Sequence, residues 1–193
     1  MVAALASKPL RRFTPQEYLL VERAAEIKSE YLDGQMYGMA GASPEHNIIT
    51  ANLIAELRAP LRRAGCRTFA SDQRIAIAPE GSYYYPDVSA VCGEAKFLDK
   101  HRDTLLNPAL IVEVLSKSAA KYDREIKLAE YQGISSVREI LLVSQDRLRV
   151  EHYSRSGKHW IARTHSRPDA ILDIPSLHCS LALSEIYDGV TFS

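Results

Sequence analysis

The sequence has few cysteines, and their spacing argues against two kinds of small scaffold. Cys66, Cys92 and Cys179 are the 3 cysteines of the 193-residue chain, and no two form a Cys-x-x-Cys pair. An odd number of widely separated cysteines indicates neither a disulfide framework nor a zinc site. A reducing cytoplasm fits this composition best.

Long hydrophobic runs and nucleotide-binding loops are also missing. No stretch of about 18 apolar residues occurs, and Lys8 and Pro9 interrupt the mildly apolar residues 1–10 before a signal-peptide core forms. We therefore expect a soluble protein with no membrane partner. The sequence contains no GxGxxG or P-loop pattern, so it implies no redox cofactor or nucleotide.

Net charge is the third absence, because 24 Lys and Arg balance 24 Asp and Glu. The whole chain therefore exerts no electrostatic attraction on nucleic acid. A local basic rim beside an acidic centre would also sum to zero, so a nuclease is not excluded. The hydrophobic fraction of 46% is enough for one or two compact cores, and we interpret residues 1–193 as a single domain.

Helix starts and a tight turn organise the first third of the sequence. Thr-Pro opens a predicted helix at residues 14–25, and Ser-Pro opens another at residues 43–64. Pro60 is expected to end or kink the second helix. Between them, Asp33-Gly34 is the dipeptide that a two-residue hairpin turn prefers, so two antiparallel strands are expected.

Residues 109–115 form a nearly continuous apolar run, which predicts a strand buried on both faces in the middle of a sheet. The order of elements predicts an α/β or α+β fold with a central mixed sheet. The other predicted elements are strands at 67–78, 83–92 and 138–143, a helix at 119–132, a hairpin of 148–153 with 159–164 around Gly157, and a short helix at 181–187.

Glu113 interrupts that apolar run. A carboxylate there is costly to bury unless it is paired, protonated or bound to a metal. The alternatives are a solvent-facing edge strand or a buried salt bridge. Asp87 follows Pro86 at the start of another strand, where proline sets the direction of the chain, although Pro-Asp is also common in turns. Two acids that converge from neighbouring central strands would suit Mg²⁺.

The arrangement of Pro-Asp, a gap and a glutamate in an apolar strand resembles the PD-(D/E)XK nuclease superfamily. Within it, the chain is similar to the Uma-two family of restriction endonuclease-like bacterial proteins. The resemblance covers nearly the whole chain and is carried by TPQEYL, SEYLDGQMYGMAGASPEHN, YYYPDVSAVC, LIVEVLSKSAAKYDREIKLAEYQ, VREILLVSQD and LSEIYDGV. Its most distinctive part is IVEVLS followed by D-R-x-x-K and a tyrosine four residues later.

The resemblance implies a restriction endonuclease-like core and hydrolysis of phosphodiester bonds in nucleic acid, with DNA expected. It also implies one Mg²⁺ or Mn²⁺ held by Asp87, Glu113 and the carbonyl of Val114. The sequence departs from the superfamily at Leu115, where a lysine is expected. We therefore expect Lys127 to supply the missing amine.

The spacing of Asp123, Lys127 and Tyr131 places these residues on one helix face that can pack across the Glu113 strand. The alternative is an ordinary surface ion pair between Asp123 and Lys127. Lys117 and Lys121, which are nearer in sequence to Glu113, are expected to point to solvent.

Glu30 and His46 are further candidates, because related nucleases place an acid or histidine beside the metal. The alternative for Glu30, which lies in the hairpin, is a cross-strand ion pair. The alternative for His46, which lies in the first turn of a helix, is a polar residue that faces water. A group of arginines has two possible interpretations, as phosphate contacts or as a solvated helix face. This group comprises Arg58, Arg62, Arg63 and Arg67.

Two other functions remain open from the sequence. A nuclease-like fold that has lost turnover would bind nucleic acid or a protein partner, and this agrees with Leu115 and the neutral charge. A metal-dependent hydrolase of small phosphoesters would share the carboxylates but need an enclosed pocket. A homodimer is compatible with each of these functions.

Overall fold

The computed structural model describes residues 11–116 and 120–192. The expectations for residues 1–10 and for Lys117 lie outside these residues. The fold is a mixed α+β arrangement, as expected from the order of elements. Its helical elements are α1 (Pro15–Ala24), α2 (Pro44–Arg63), α3 (Ala120–Tyr122), a π-helical turn (Asp123–Lys127), α4 (Leu128–Gly133), a 3₁₀ turn (Pro175–Leu177) and α5 (Leu183–Ile186). Its strands are β1 (Ser29–Leu32), β2 (Gln35–Gly38), β3 (Cys66–Ala70), β4 (Arg74–Ala76), β5 (Tyr83–Tyr84), β6 (Val88–Cys92), β7 (Thr104–Leu105), β8 (Leu110–Leu115), β9 (Glu139–Ser144), β10 (Val150–Ser156), β11 (His159–His165), β12 (Ile171–Ile174) and β13 (Cys179–Ala182).

A six-stranded mixed sheet forms the centre of the fold, with strand order β11-β10-β9-β8-β6-β3. β8 and β9 run parallel, and β6 pairs with β8 in antiparallel orientation. Every residue of β8 is buried, which confirms the central strand predicted from its apolar run.

The two faces of β8 pack against different helices. Leu110, Val112 and Val114 share a core with Leu53 and Leu57 of α2. Ile111 and Leu115 point the other way, into a core with Leu128 and Tyr131 of α4, because successive side chains of a strand alternate between faces. Glu113 belongs to this second face, and the helix predicted at 119–132 covers it.

The predicted hairpin is confirmed as β1 and β2, which join through Asp33 and Gly34. Both turn residues have positive φ, 45° and 80°, as a tight hairpin turn of this kind requires. The hairpin belongs to a second, five-stranded sheet of order β2-β1-β5-β4-β7. Tyr31 of β1 pairs with Tyr83 of β5, so the hairpin lies next to the segment that leads to Asp87.

Two strand predictions were wrong in extent. Residues 67–78 divide at a turn into β3 and β4, and residues 83–92 divide into β5 and β6. In each case the two parts belong to different sheets. Tyr85, Pro86 and Asp87 form the second break, because proline lacks the N–H that a ladder needs. A continuous hydrophobic pattern does not show where a chain passes from one sheet to another.

The cysteine prediction was also wrong, because Cys66 and Cys92 form a disulfide. They are register partners at the ends of β3 and β6, with Cα atoms 3.9 Å apart. Strand pairing brings them together across a sequence separation of 26 residues, and no local spacing rule reveals such a pair. Cysteine usage therefore gives no argument for a reducing compartment.

The helices and the C-terminal region agree with expectation in some details and differ in others. Of the two outcomes expected at Pro60, an end of α2 is excluded, because the helix continues to Arg63. The hairpin around Gly157 is confirmed as β10 and β11. The hairpin β12–β13 was not predicted, and part of the helix expected at 181–187 belongs to β13. In the part of the chain that is described, no helix has the length and apolar character needed to cross a membrane.

Candidate active site

Asp87 lies at the junction between the two sheets, one residue before β6. Val88 pairs with Val112, and continuing this antiparallel register by one residue places Asp87 opposite Glu113. The backbone N–H of Val114 donates to Asp87 Oδ2 at 2.7 Å. This bond holds the Asp87 carboxylate beside β8. Asp87 and Glu113, the two candidate metal ligands, line the same cleft.

Glu113 is buried, with 4% of its surface exposed. The Tyr131 hydroxyl donates to Glu113 Oε1, and the Lys127 amine lies 3.4 Å from the same oxygen. Desolvation raises the pKa of Glu113 well above its ordinary value, and the charges of Asp123, Asp87 and Glu30 add to this effect against the opposing charge of Lys127. Glu113 is therefore not at a solvent-facing edge. The alternative of a buried ion pair is confirmed by Lys127, within a cluster that holds further acids.

Lys127 is the cation of a buried acidic cluster. Its amine lies 2.7 Å from Glu30, 3.4 Å from Glu113 and 3.4 Å from Asp123. The predicted approach to Glu113 is confirmed, and the alternative of a surface pair with Asp123 is wrong, because both residues are buried. Burial lowers the pKa of the amine, but the neighbouring carboxylates outweigh it and hold the pKa above its ordinary value.

The helix that carries these residues contains a π turn at Asp123–Lys127. The N–H of Leu128 donates to the carbonyl of Asp123, five residues earlier, instead of the four of an α-helix. Asp123, Lys127 and Tyr131 are all buried against β8, so the predicted common face is confirmed. Neither proline nor glycine lies within this turn, and the sequence offered no sign of it.

Glu30 reaches the cluster from the hairpin. Its Oε1 accepts from Lys127 and, at 3.2 Å, from the backbone N–H of Tyr85. The predicted cross-strand alternative is therefore replaced by an ion pair with a residue 97 positions away. Only the packing of the five-stranded sheet beside the helix makes this contact.

His46 occupies the first turn of α2, whose N-cap is Ser43. Its Nε2 lies 3.3 Å from Asp87 Oδ2. Burial alone would lower the pKa of this imidazole. The hydrogen bond and charge of Asp87, together with the carbonyl of Val114, outweigh burial, so the pKa of His46 is raised. His46 therefore faces the site and not water, because the first turn of α2 lies beside β8.

Aromatic residues around Lys127 were not predicted as part of the site. The amine lies 5.4 Å from the ring centre of Tyr84 and 5.9 Å from that of Tyr122. At these distances the rings stabilise the cation. Tyr122 precedes Asp123 directly, and this adjacency was the one sequence signal that an aromatic residue belongs to the site. The basic group predicted near the end of α2 is different, because its side chains are exposed and absent from the described lining of the cleft. It comprises Arg58, Arg62 and Arg63 of α2 and Arg67 of β3.

The residues at the cleft suit a hard divalent cation. Asp87, Glu113 and the Val114 carbonyl offer oxygen atoms, which Mg²⁺ prefers. Glu30, Glu113 and Asp123 together carry more potential negative charge than Lys127 neutralises. Within residues 11–116 and 120–192, no group of three or more His, Cys, Asp or Glu residues is arranged to hold a metal. Mg²⁺ requires less, because one or two carboxylates and several waters complete its shell.

Comparison with known proteins shows the family of the chain. The Uma2 (Uma-two) family model, described as "Putative restriction endonuclease", matches residues 15–184. The chain belongs to the Uma2 family. The uncharacterized protein sll1609 of Synechocystis sp. is 42% identical to this Uma2 chain over 149 residues, which are 77% of this chain and 84% of sll1609. Protein slr1290 of the same organism, also uncharacterized, is 33% identical over 193 residues and 100% of both chains.

A solved structure shares the fold of this Uma2 protein. It is a crystal structure from Anabaena variabilis described as "a putative nuclease belonging to DUF820". The TM-score is 0.74 at 19% identity, with 93% of this chain and 99% of the other covered. At this identity the comparison establishes a common nuclease-like fold, and roles for individual residues rest on the geometry above.

Proposed function

We propose that this Uma2 protein is a metal-dependent endonuclease that hydrolyses phosphodiester bonds of nucleic acid, with DNA as the expected substrate. The observation that carries the proposal is the Lys127 amine 3.4 Å from Glu113. The superfamily pattern requires a lysine beside this glutamate, and Leu115 removes it from the strand. Lys127 supplies an amine to the same carboxylate from the neighbouring helix.

The charge balance of the site supports a divalent cofactor. Three buried acids contact one lysine, and Asp87 lies beside them. An excess of buried negative charge is costly unless it is protonated or neutralised by a cation. We assign Mg²⁺ or Mn²⁺ to Asp87, Glu113 and the Val114 carbonyl. When bound, the ion would supply Lewis acidity and a water of lowered pKa.

The remaining residues position these ligands and balance charge. The Val114 N–H and His46 orient the Asp87 carboxylate, and the Tyr131 hydroxyl orients Glu113. We assign to Lys127 the role of offsetting charge that develops at the site, because its three N–H donors face Glu30, Glu113 and Asp123. Glu30 and Asp123 hold the amine in position.

The contact between Lys127 and Glu113 also bears on the two other functions. A binding module without turnover was favoured by the missing strand lysine and by the neutral net charge, and an amine at Glu113 removes the first of these reasons. An enclosed pocket was expected for a small phosphoester. The site instead lines a cleft of about 1070 Å³, at the upper limit of ordinary small-molecule pockets.

A nuclease assay with two site variants tests the proposal. Asp87→Asn and Glu113→Gln remove ligand charge with little change of volume, so each should lower Mg²⁺- or Mn²⁺-dependent cleavage of plasmid and oligonucleotide DNA by more than about 100-fold. EDTA should abolish the wild-type activity. Asp169→Asn, at an exposed residue paired with Arg167, is the matched control and should cleave normally. Full activity in both site variants would assign the cleavage to another site or to a contaminant.

A further inference from the structure

Exposed aromatic and apolar side chains form a rim of the cleft that contains the candidate active site. Tyr37, Ile27 and Phe192 line the cleft and expose 43%, 69% and 40% of their surfaces. Large apolar side chains at such exposure lose contact with water when a ligand covers them. Their position beside the catalytic cluster distinguishes them from apolar residues scattered over the surface.

Tyr37 is connected directly to the catalytic cluster. It is the register partner of Glu30 across β1 and β2, so their side chains share one face of the hairpin. Its ring centre lies 6.3 Å from that of Tyr122, whose ring in turn lies 5.9 Å from the Lys127 amine. Tyr37 therefore contacts the ring that lies beside the Lys127 amine.

The described lining of the cleft provides little attraction for a phosphate backbone. Acidic side chains outnumber lysines among these residues, and arginine is missing from them. Lys28 is already paired with Asp72 at 2.7 Å, and Lys127 is buried among its three carboxylates. Duplex-binding proteins gain most of their affinity from cations that contact many phosphates. Among residues 11–116 and 120–192, cations that line the cleft therefore supply little of this affinity.

We propose that the cleft binds a nucleic-acid strand with unpaired bases, and that one base next to the scissile phosphate stacks on Tyr37. This inference rests on the proposed nuclease function and names its substrate class. Proteins that bind single strands combine cation contacts to the backbone with stacking of bases on aromatic side chains, and the stacking tolerates any base. In this cleft, Tyr37 offers the stacking contact. Bases in a duplex are stacked on each other and cannot offer a free face to Tyr37. The substrate is therefore a single strand, a loop or a frayed end.

The test compares one oligonucleotide as a single strand and as a blunt duplex, with wild-type protein, Tyr37→Ala and Tyr37→Phe. We expect the single strand to be cleaved with the higher kcat/KM. Tyr37→Ala should lower kcat/KM on it by about 5- to 150-fold, mainly through KM. Tyr37→Phe keeps the ring and should match the wild type. Ile161→Ala, at an exposed residue outside the described lining of the cleft, is the control, and thermal unfolding verifies that each variant is folded.

Cleavage and binding together separate failure of this inference from failure of the proposed function. Equal or faster cleavage of the duplex, or wild-type kinetics in Tyr37→Ala, would overturn the substrate class and leave the nuclease intact. If neither DNA is cleaved, the nuclease function fails. Fluorescence anisotropy in Ca²⁺ then decides the stacking: single-strand binding that Tyr37→Ala weakens supports it, and binding unaffected by Tyr37→Ala, or undetectable, refutes it.

Discussion

Glu113 and Glu139 are two glutamates in adjacent buried strands, and their surroundings are opposite. Glu113 of β8 lies on the face covered by α4, among Glu30, Asp123 and Asp87 with Lys127 as its cation. Glu139 of β9 lies on the face covered by α2, since Leu141 and Val143 of the same strand pack there. Both are almost completely buried.

The partners of Glu139 satisfy its charge. Its Oε2 lies 2.7 Å from His152 Nε2, and its Oε1 accepts from the Ser176 hydroxyl. Desolvation raises the pKa of Glu139, but these hydrogen bonds and that of Ser154 outweigh it, so the pKa is lowered. The pKa of Glu113 is raised instead. A buried acid with satisfied bonds stabilises the fold, whereas one among like charges indicates a site built for a ligand.

The largest expected difference between the two glutamates is in stability. Glu139→Gln weakens two buried hydrogen bonds to a carboxylate, each worth about 1.5–3 kcal/mol, and should lower the free energy of unfolding by about 3–5 kcal/mol. Glu113→Gln removes one of several like charges and should cost less than half as much. Urea unfolding of both variants at pH 7.5 in EDTA measures the difference. Equal losses would show that the two acids have the same structural role.

A smaller loss is expected at Lys127. Lys127→Met leaves Glu30, Glu113 and Asp123 without a cation and should lower the free energy of unfolding by about 2–3 kcal/mol. The loss is limited because burial raises the pKa of Glu113 and of Asp123, so these two acids can take up protons. Cleavage should also be lost. Lys28→Met is the control, since its exposed pair with Asp72 has the same 2.7 Å separation as Lys127 and Glu30. It should cost less than about 1 kcal/mol, and a similar loss in both would contradict the buried cluster.

The smallest effect is on the pH dependence of stability. A raised pKa means that folded Glu113 binds its proton more tightly than the unfolded chain, so its contribution worsens as pH rises above about 4.5. The lowered pKa of Glu139 stabilises the fold above about 4.5, and this contribution is lost as pH falls through the folded pKa. The free energy of unfolding of Glu113→Gln, relative to that of the wild type, should therefore increase as pH rises from 5 to 8. The penalty of Glu139→Gln should shrink below pH 4.5. Thermal unfolding in EDTA across pH 3–8 measures both slopes, and slopes of the same sign would refute the contrast.

Local patterns were sufficient for much of the fold. Caps with N1 proline marked α1 and α2, Asp33-Gly34 marked the first hairpin, and an apolar run marked β8. The same patterns missed the breaks within 67–78 and 83–92, because chain crossing between sheets leaves no periodic signal. The Cys66–Cys92 bond was missed because pairing of strands 26 residues apart created it. The hairpin β12–β13 is local but was missed because it turns through a 3₁₀ turn and His178 in the left-handed region, without a glycine.

The sequence by itself determined which residue types were out of place: an acid in an apolar strand, an acid after proline, and a lysine in helical register with Asp123 and Tyr131. Local spacing is enough for these conclusions, because they depend on strand and helix periodicity. Only the tertiary structure decided that Glu30 and His46 face the cluster and that Tyr37 lies at its rim. Those positions depend on the packing of the second sheet and α2 against β8. Contacts such as Glu30 with Lys127, 97 residues apart, depend on that packing and not on local spacing.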